Sequence, residues 1–326
     1  MAGGHWLIES GGMETICATY RIGTWTGEWR PLGGAFNDNV GFATDQGVYV
    51  LRILGGTSSG EQLRDLYRMQ LALDERGVPV PIPLLADGLV PYSMLAGKLI
   101  QVMPCLDGES FSGGEGQVRA SGAALRSFHE ALEGEDVREG CQLTPAVSFF
   151  RSYARCCDAL DALAACERIS RYGLAEARSA AEEIYGRWHA GEADLPHCVI
   201  HGDWHLWNQL YEGDRVVGVL DLDNMQEGAR LLDIAYAIWV LHILTPQYAD
   251  VYRTAFLSGY GAMSEQEIEM LPCAVAAIAL SFLCHAADSD HPVRKWHKQY
   301  ATQMPFIRWL LAEGGEILRD AARGKL

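Results

Sequence analysis

The chain has 326 residues, of which 49% are hydrophobic, and its formal net charge is −16. That length predicts about two domains, or one domain built from two lobes, with enough apolar residues for a substantial core. The acidic balance argues against nucleic acid and against an anionic membrane as partners, and suits a cationic partner better.

In chain order, MAGGHWLIES lacks a basic start and an apolar core, so no signal peptide is expected. Residues 5–20 predict a short helix. A strand-rich stretch covers 25–54: EWRPLGGAFNDNVGFAT reads as strand, Gly-rich turn, strand, and Asp45-Gln46-Gly47 turns the chain into GVYVLRIL. GGTSSG is a flexible connection. Residues 61–76 have helical spacing, with Leu63, Leu66, Tyr67, Gln70, Leu71 and Leu73 on one broad face, and Gly77 ends that helix. Leu99 to Met103 is a short apolar strand ending at Pro104. Beyond it the pattern is helical over 116–133, 146–170, 174–191, 229–244, 247–260 and 264–287. Ser264 and Glu267 form a capping box at the start of the last run. Leu271 to Ala287 is apolar but short for a membrane span and reads as a buried helix. A β-rich island interrupts the helices at 197–223. The fold class expected is therefore α+β and bilobal: a small β-rich lobe over 1–103 and a larger, mainly helical lobe over 104–326. The nine cysteines are irregularly spaced, with no C-x-x-C pair, which points to reduced thiols and a cytoplasmic setting.

The island, CVIHGDWHLWNQLYEGDRVVGVLDLDN, carries the chemistry. Pairing its two strands across Glu212-Gly213-Asp214-Arg215 sets Tyr211 opposite Val216 and Asn208 opposite Val219. Asp221 then falls within about 7 Å of Asn208. An amide oxygen and a carboxylate are hard ligands suited to Mg²⁺, which borrows its remaining ligands from water and phosphate. Asp203 precedes Asn208 with four residues between, and His201 stands two before it. This is a kinase arrangement, in which one Asp orients or deprotonates the acceptor hydroxyl while an Asn and a second Asp hold the metal.

HGDWHLWN resembles the HGDxHxxN loop of the aminoglycoside phosphotransferase and choline kinase superfamily. VVGVLDLDN resembles its metal-binding strand, and ARLLDIAYAI the segment that follows, where Asp233 matches a family aspartate. RPLGGAFNDNVGFATDQGVYVLRI resembles the nucleotide-loop hairpin, GVPVPIPL the lead into the next strand, and SGAALRSFHEAL the helix that opens the large lobe. The resemblance covers most of the chain. It implies a protein-kinase-like fold, ATP or GTP in the cleft with hinge backbone near Gln101 to Met103 holding the base, Asp203 as base, and Asn208 and Asp221 as Mg²⁺ ligands. It also implies a phosphate role for Arg52, where the family usually has Lys.

Its helix partner is either Glu61 or Asp65. The Gly33-Gly34 loop is not G-x-G-x-x-G, and Gly55 to Gly60 is not a Walker A site because Glu61 replaces the required Lys. His201 and His205 lie in a loop, which disfavours zinc and suits His201 to bracing. Asp233 anchors loop backbone, and Asp223 either touches metal or holds its turn. Trp204 and Trp207 wall the acceptor pocket or belong to the core. Asp288 and Asp290 recognise a cationic acceptor or form a solvated acidic face.

About a dozen residues separate Asp221 from Asp233, and D-F-G and A-P-E are both missing, so a regulated protein kinase is disfavoured. A non-catalytic nucleotide-binding module is disfavoured by the complete Asp203, Asn208 and Asp221 set. The leading acceptor is an aminoglycoside-type or other antibiotic hydroxyl, with antibiotic resistance as the implied role; homoserine, choline, methylthioribose or a sugar are the alternatives. The oligomeric state has no signature in the sequence.

Overall fold

In the computed structural model the described residues are 11–34, 37–55, 58–134, 141 and 143–325. Helix α1 (Gly12–Tyr20) leads into β1 (Trp25–Gly33), β2 (Asp38–Thr44) and β3 (Gly47–Ile53). Helix α2 (Gly60–Glu75), β4 (Ser93–Leu95) and β5 (Lys98–Pro104) complete the small lobe. The strands make one antiparallel sheet in the order β1-β2-β3-β5-β4. Alternation along each strand gives the sheet two faces. Val40, Phe42, Leu51, Ile53, Ile100 and Val102 point to one and bury against Met13, Ile16, Cys17 and Tyr20 of α1. Arg52, between Leu51 and Ile53, projects from the other.

The predicted helix over 5–20 is seen from Gly12 onward, its first residues lying outside the described ones. Helix α2 starts at a capping box between Ser59 and Gln62. It buries Leu63, Met69, Gln70 and Leu73, while Leu66, Tyr67 and Leu71 are half-buried. Met69 thus joins the inner face, which the spacing alone did not assign to it.

The large lobe contains α3 (Glu115–Ala131), α4 (Tyr153–Ala164), α5 (Arg171–Gly191), α6 (Leu231–Leu244), α7 (Ala249–Tyr260), α8 (Glu265–Cys284), α9 (Pro292–Leu311) and α10 (Glu313–Ala322). Helix α8 starts at the Ser264/Glu267 capping box and packs against α5, α6, α9 and α10. Glu265–Asp288 is long and apolar enough to cross a membrane by length and composition, yet 83% of its apolar window is buried in this core, as expected of a buried helix. Truncating one of its fully buried leucines, such as Leu280, costs about 2–5 kcal/mol. All nine cysteines are free thiols.

The helix expected over 146–170 is shorter, only Tyr153–Ala164. Ser152 caps it by accepting from the Arg155 N–H. The Ala146 and Val147 N–H groups are committed to the Asp223 carbonyl and to Asn224 Oδ1 instead of to a helix. Residues 146–152 are therefore an irregular segment laid along the catalytic region. Helices α9 and α10, with Pro305 inside α9, were not anticipated from the sequence.

Candidate active site

Strand β6 (His197–Ile200) pairs antiparallel with β9 (Gln226–Ala229), and β7 (Gln209–Glu212) with β8 (Arg215–Val219). The loop between β6 and β7 carries His201, Asp203 and Asn208. Tyr211 faces Val216 as expected, but a bulge between Leu210 and Tyr211 shifts the register by one. Gln209, not Asn208, lies opposite Val219. Asn208 instead accepts from the Leu220 N–H at 2.8 Å, which brings it one residue closer to Asp221 than an unbulged hairpin would.

The loop is bound from beneath. Asp233, on the first turn of α6 and 1% exposed, accepts from the His201 N–H at 2.7 Å and the Gly202 N–H at 2.8 Å, and its Oδ2 lies 3.0 Å from His129 Nε2. Gly202 has φ +79°, and a Cβ there would overlap the Asn224 carbonyl, so only glycine fits this turn. The buried His201 ring reaches the Leu220 carbonyl through Nε2 at 3.0 Å and accepts from the Asp203 N–H through Nδ1. Asn208 donates its amide to the Asp203 carbonyl at 3.0 Å. With its Nδ2 so occupied, Asn208 keeps Oδ1 as the side-chain atom that can ligate a cation.

Asp203 is 9% exposed. Burial pushes its pKa up to about 6, opposed by a hydrogen bond from the Tyr236 hydroxyl and by His201, and reinforced by the negative charge of Asp221. Its Oδ1 is buried without a hydrogen-bond partner among the described residues. The nearby His205 Nε2 stands 3.7 Å away, too far to satisfy it. Burial also depresses the His205 pKa to about 4, so this ring is neutral, and its Nδ1 accepts from the Asn208 N–H.

Asp221 is left-handed at φ +59°, uncommon for a side-chain-bearing residue, and its carboxylate is about half exposed. Asp223, two residues on, is mostly buried, and that burial raises its pKa against the opposing charge of Arg52. Arg52 bonds Asp223 and lies 3.5 Å from Asp221. Asn37 also donates to Asp223, at 2.6 Å. Asp223 therefore joins the two lobes. Arg52 takes its acidic partners from the segment that follows β8, not from α2, where Glu61 and Asp65 had been the candidates.

Gly33 and Gly34 form the β1–β2 turn with φ +84° and +143°, and a Cβ on Gly34 would overlap the Asn37 carbonyl. Gln101 pairs with Arg52 across the sheet, is buried, and donates its amide to the Pro91 carbonyl. Met103, also buried, pairs with Val50. Strand β4 stops opposite Ile100 while β3 continues beside β5 to Pro104, and past the end of β4 the Val102 carbonyl accepts from the Leu84 N–H at 2.7 Å.

Trp204 is a core residue, 1% exposed, donating to Ser121 Oγ. Trp207 is 41% exposed and packs edge-on against Phe111. On the other side of the loop, a cavity of about 340 Å³ opens at Gly202, lined among others by Ser148, Phe149, Arg155, Glu227 and Tyr236. A neighbouring cleft of about 620 Å³ shares Ser148 and Arg155 and includes Arg151, which is ion-paired with Asp288. Sequence reasoning missed Tyr236 and this wall. Only the offset of Tyr236 from Asp233, i+3 on one helix, placed it beside the loop.

The donor set fits a magnesium ion. Asn208 Oδ1 and the half-exposed Asp221 carboxylate are two hard oxygens, a number typical of a cation completed by water and phosphate. Among the described residues no three His, Cys, Asp or Glu side chains gather as a metal site, and the nitrogens of His201 are occupied, which speaks against zinc.

A family model described as "phosphotransferase enzyme family" matches residues 28–265. A homoserine kinase of Sinorhizobium fredii is 30% identical over 272 residues, covering 81% of this chain and 80% of its own. Among solved structures, a microcompartment-associated aminopropanol kinase superposes with a TM-score of 0.69 at 17% identity, covering 93% of this chain and 98% of the other. A complex of an amicoumacin kinase with AMP-PNP and Ca²⁺ gives 0.64 at 14% identity, covering 96% of each. These two structural likenesses speak for the fold alone.

Proposed function

The chain belongs to the phosphotransferase enzyme family and is a small-molecule kinase; we propose that it moves the γ-phosphoryl group of ATP to a hydroxyl of a small acceptor, with Asp203 as general base. One observation carries this reading: a buried carboxylate oxygen, Asp203 Oδ1, lacks a partner among the described residues and sits in the same short loop as Asn208. A buried acceptor left unsatisfied costs about 1–3 kcal/mol, and an acceptor O–H supplies the missing donor. Lifted to about 6, Asp203 is ionised at neutral pH yet basic enough to take a proton.

In the step itself the acceptor oxygen bonds to the γ-phosphorus, the bridging β–γ P–O bond breaks, ADP leaves, and the hydroxyl proton passes to Asp203. Asn208 and Asp221 would hold Mg²⁺, which when bound neutralises charge on the phosphates. Arg52 would offer its fork to the phosphates, and the hinge backbone near Gln101 to Met103, at the end of β5, would take the base. Gly33 and Gly34 would cover the phosphates from the β1–β2 turn. His201 and Asp233 act through the loop backbone, and Tyr236 positions the Asp203 carboxylate.

The acceptor has two readings, an aminoglycoside-type antibiotic or a metabolite such as homoserine. The curated relatives' names and the modest 340 Å³ cavity beside Gly202 favour the metabolite. The test is acceptor-dependent ADP release with Mg²⁺ and ATP or GTP, over aminoglycosides, macrolides, homoserine, choline and methylthioribose, with Asp203→Ala as control. Release stimulated by one acceptor and lost in the variant supports the reading. Equal release by variant and wild type removes Asp203 as the base.

A further inference from the structure

The cavity beside Gly202 has a wall of mixed sign. Arg155 stands at the third position of α4, and Glu227 lies on β9 opposite Val199. Both line the same cavity, both are exposed, and neither has an ion-pair partner among the described residues; they do not pair with each other. This contrasts with the neighbouring cleft, where Arg151 is already neutralised by Asp288. The α4 N-terminus, at Ser152, faces the cavity alongside Arg155 and adds its positive dipole end to the guanidinium. The aromatic side is Phe149 stacked on Tyr236, with ring centroids 5.2 Å apart, and Tyr236 in turn touches Asp203.

Resting on the kinase reading above, we propose that the acceptor is a zwitterion: a small α-amino acid with a side-chain hydroxyl, its carboxylate held by Arg155 at the start of α4 and its ammonium by Glu227, which leaves the hydroxyl to Asp203. A guanidinium matches a carboxylate with two parallel hydrogen bonds, and a site built for a charged group rejects an analogue that lacks it. A purely cationic acceptor would meet uncompensated positive charge at Arg155. A purely anionic one would meet Glu227. The two residues therefore set specificity and take no part in the chemistry.

The experiment compares kcat/KM, from ADP release with Mg·ATP, for three acceptors sharing one hydroxyalkyl chain: L-homoserine, 3-aminopropan-1-ol without the carboxylate, and 4-hydroxybutanoate without the amine. Kanamycin serves as a polycationic fourth. Wild type is expected to prefer homoserine by about tenfold to a hundredfold over each truncated analogue, the range for a charged hydrogen-bonded contact. Arg155→Gln should bring homoserine down to the level of 3-aminopropan-1-ol through KM, with little change for that amine. Glu227→Gln should bring it down to the level of 4-hydroxybutanoate. Equal wild-type use of homoserine and 3-aminopropan-1-ol, or a uniform loss across all acceptors in both variants, overturns the zwitterion assignment while leaving the kinase reading in place. So does turnover confined to kanamycin. Turnover of none of these, nor of the wider acceptor panel, by protein that still binds Mg·ATP would overturn the kinase reading with it.

Discussion

The two sides of Gly202 are built on opposite principles. On one side the catalytic loop is tightly bound: Asp233 holds two consecutive backbone N–H groups, His201 ties the loop to Leu220, Asn208 ties it to the Asp203 carbonyl, and one buried oxygen, Asp203 Oδ1, has no partner among the described residues. On the other side Arg155 of α4 and Glu227 of β9 present charges that no ion-pair partner among the described residues satisfies. Reaction chemistry needs fixed geometry, and the tightly bound side supplies it. Acceptor choice needs unspent groups, and the open side supplies those.

The contrast can be broken most severely at the leftover oxygen. Asp203→Ala should lower kcat by about 10²–10⁴-fold, the usual worth of a general base, with Mg·ATP affinity nearly intact by calorimetry. On the same side, Asp233→Ala strips the acceptor from two buried N–H groups and from His129, and should cost about 3–5 kcal/mol in urea unfolding. A variant with unchanged stability would mean that the loop is held some other way.

Asp203→Asn sharpens the comparison in the opposite direction. The Asp203 pKa is raised on folding, so the native state binds its proton more tightly than the unfolded chain does. Stability from this group therefore falls as pH climbs from about 4 to about 6 and stays low above it. The Asn variant, lacking this penalty, should be about 1–3 kcal/mol more stable than wild type at pH 7 and nearly equal to it at pH 4, while inactive. The same titration gives the wild-type rate its acid limb: kcat should fall about tenfold per pH unit below about 6. On the open side, Ser152→Ala removes the cap of α4 at the cavity wall and should cost about 1 kcal/mol in thermal unfolding.

The same asymmetry explains what was legible beforehand. Asp203, Asn208 and Asp221 are local: their spacing is set by a loop and one hairpin, so order along the chain is nearly geometry. Even there the bulge at Leu210 was invisible, because nothing in the residues marks where an extra residue is absorbed. The small lobe was readable from alternation, and α8 from its apolar run and capping box. Arg155 and Glu227 were not, since only the fold brings these residues, 72 positions apart in the chain, to one cavity. The helix expected over 146–170 failed for a related reason. Its first residues satisfy their N–H groups on Asp223 and Asn224, partners about 77 residues away that periodicity does not register.

The ion pairing of Arg52 with Asp221 and Asp223 has a consequence for how the cleft fills. With Asp203 counted, three carboxylates there face one guanidinium. An uncomplexed polyphosphate brings several more negative charges into that deficit, at separations where like charges repel strongly. On the proposed kinase reading the donor would therefore enter already wrapped in divalent cation, as a nearly neutralised package, and Arg52 would exchange its carboxylate partners for phosphate. ATP affinity measured in excess chelator should collapse relative to Mg·ATP, and in Asp221→Asn the gap between the two should narrow.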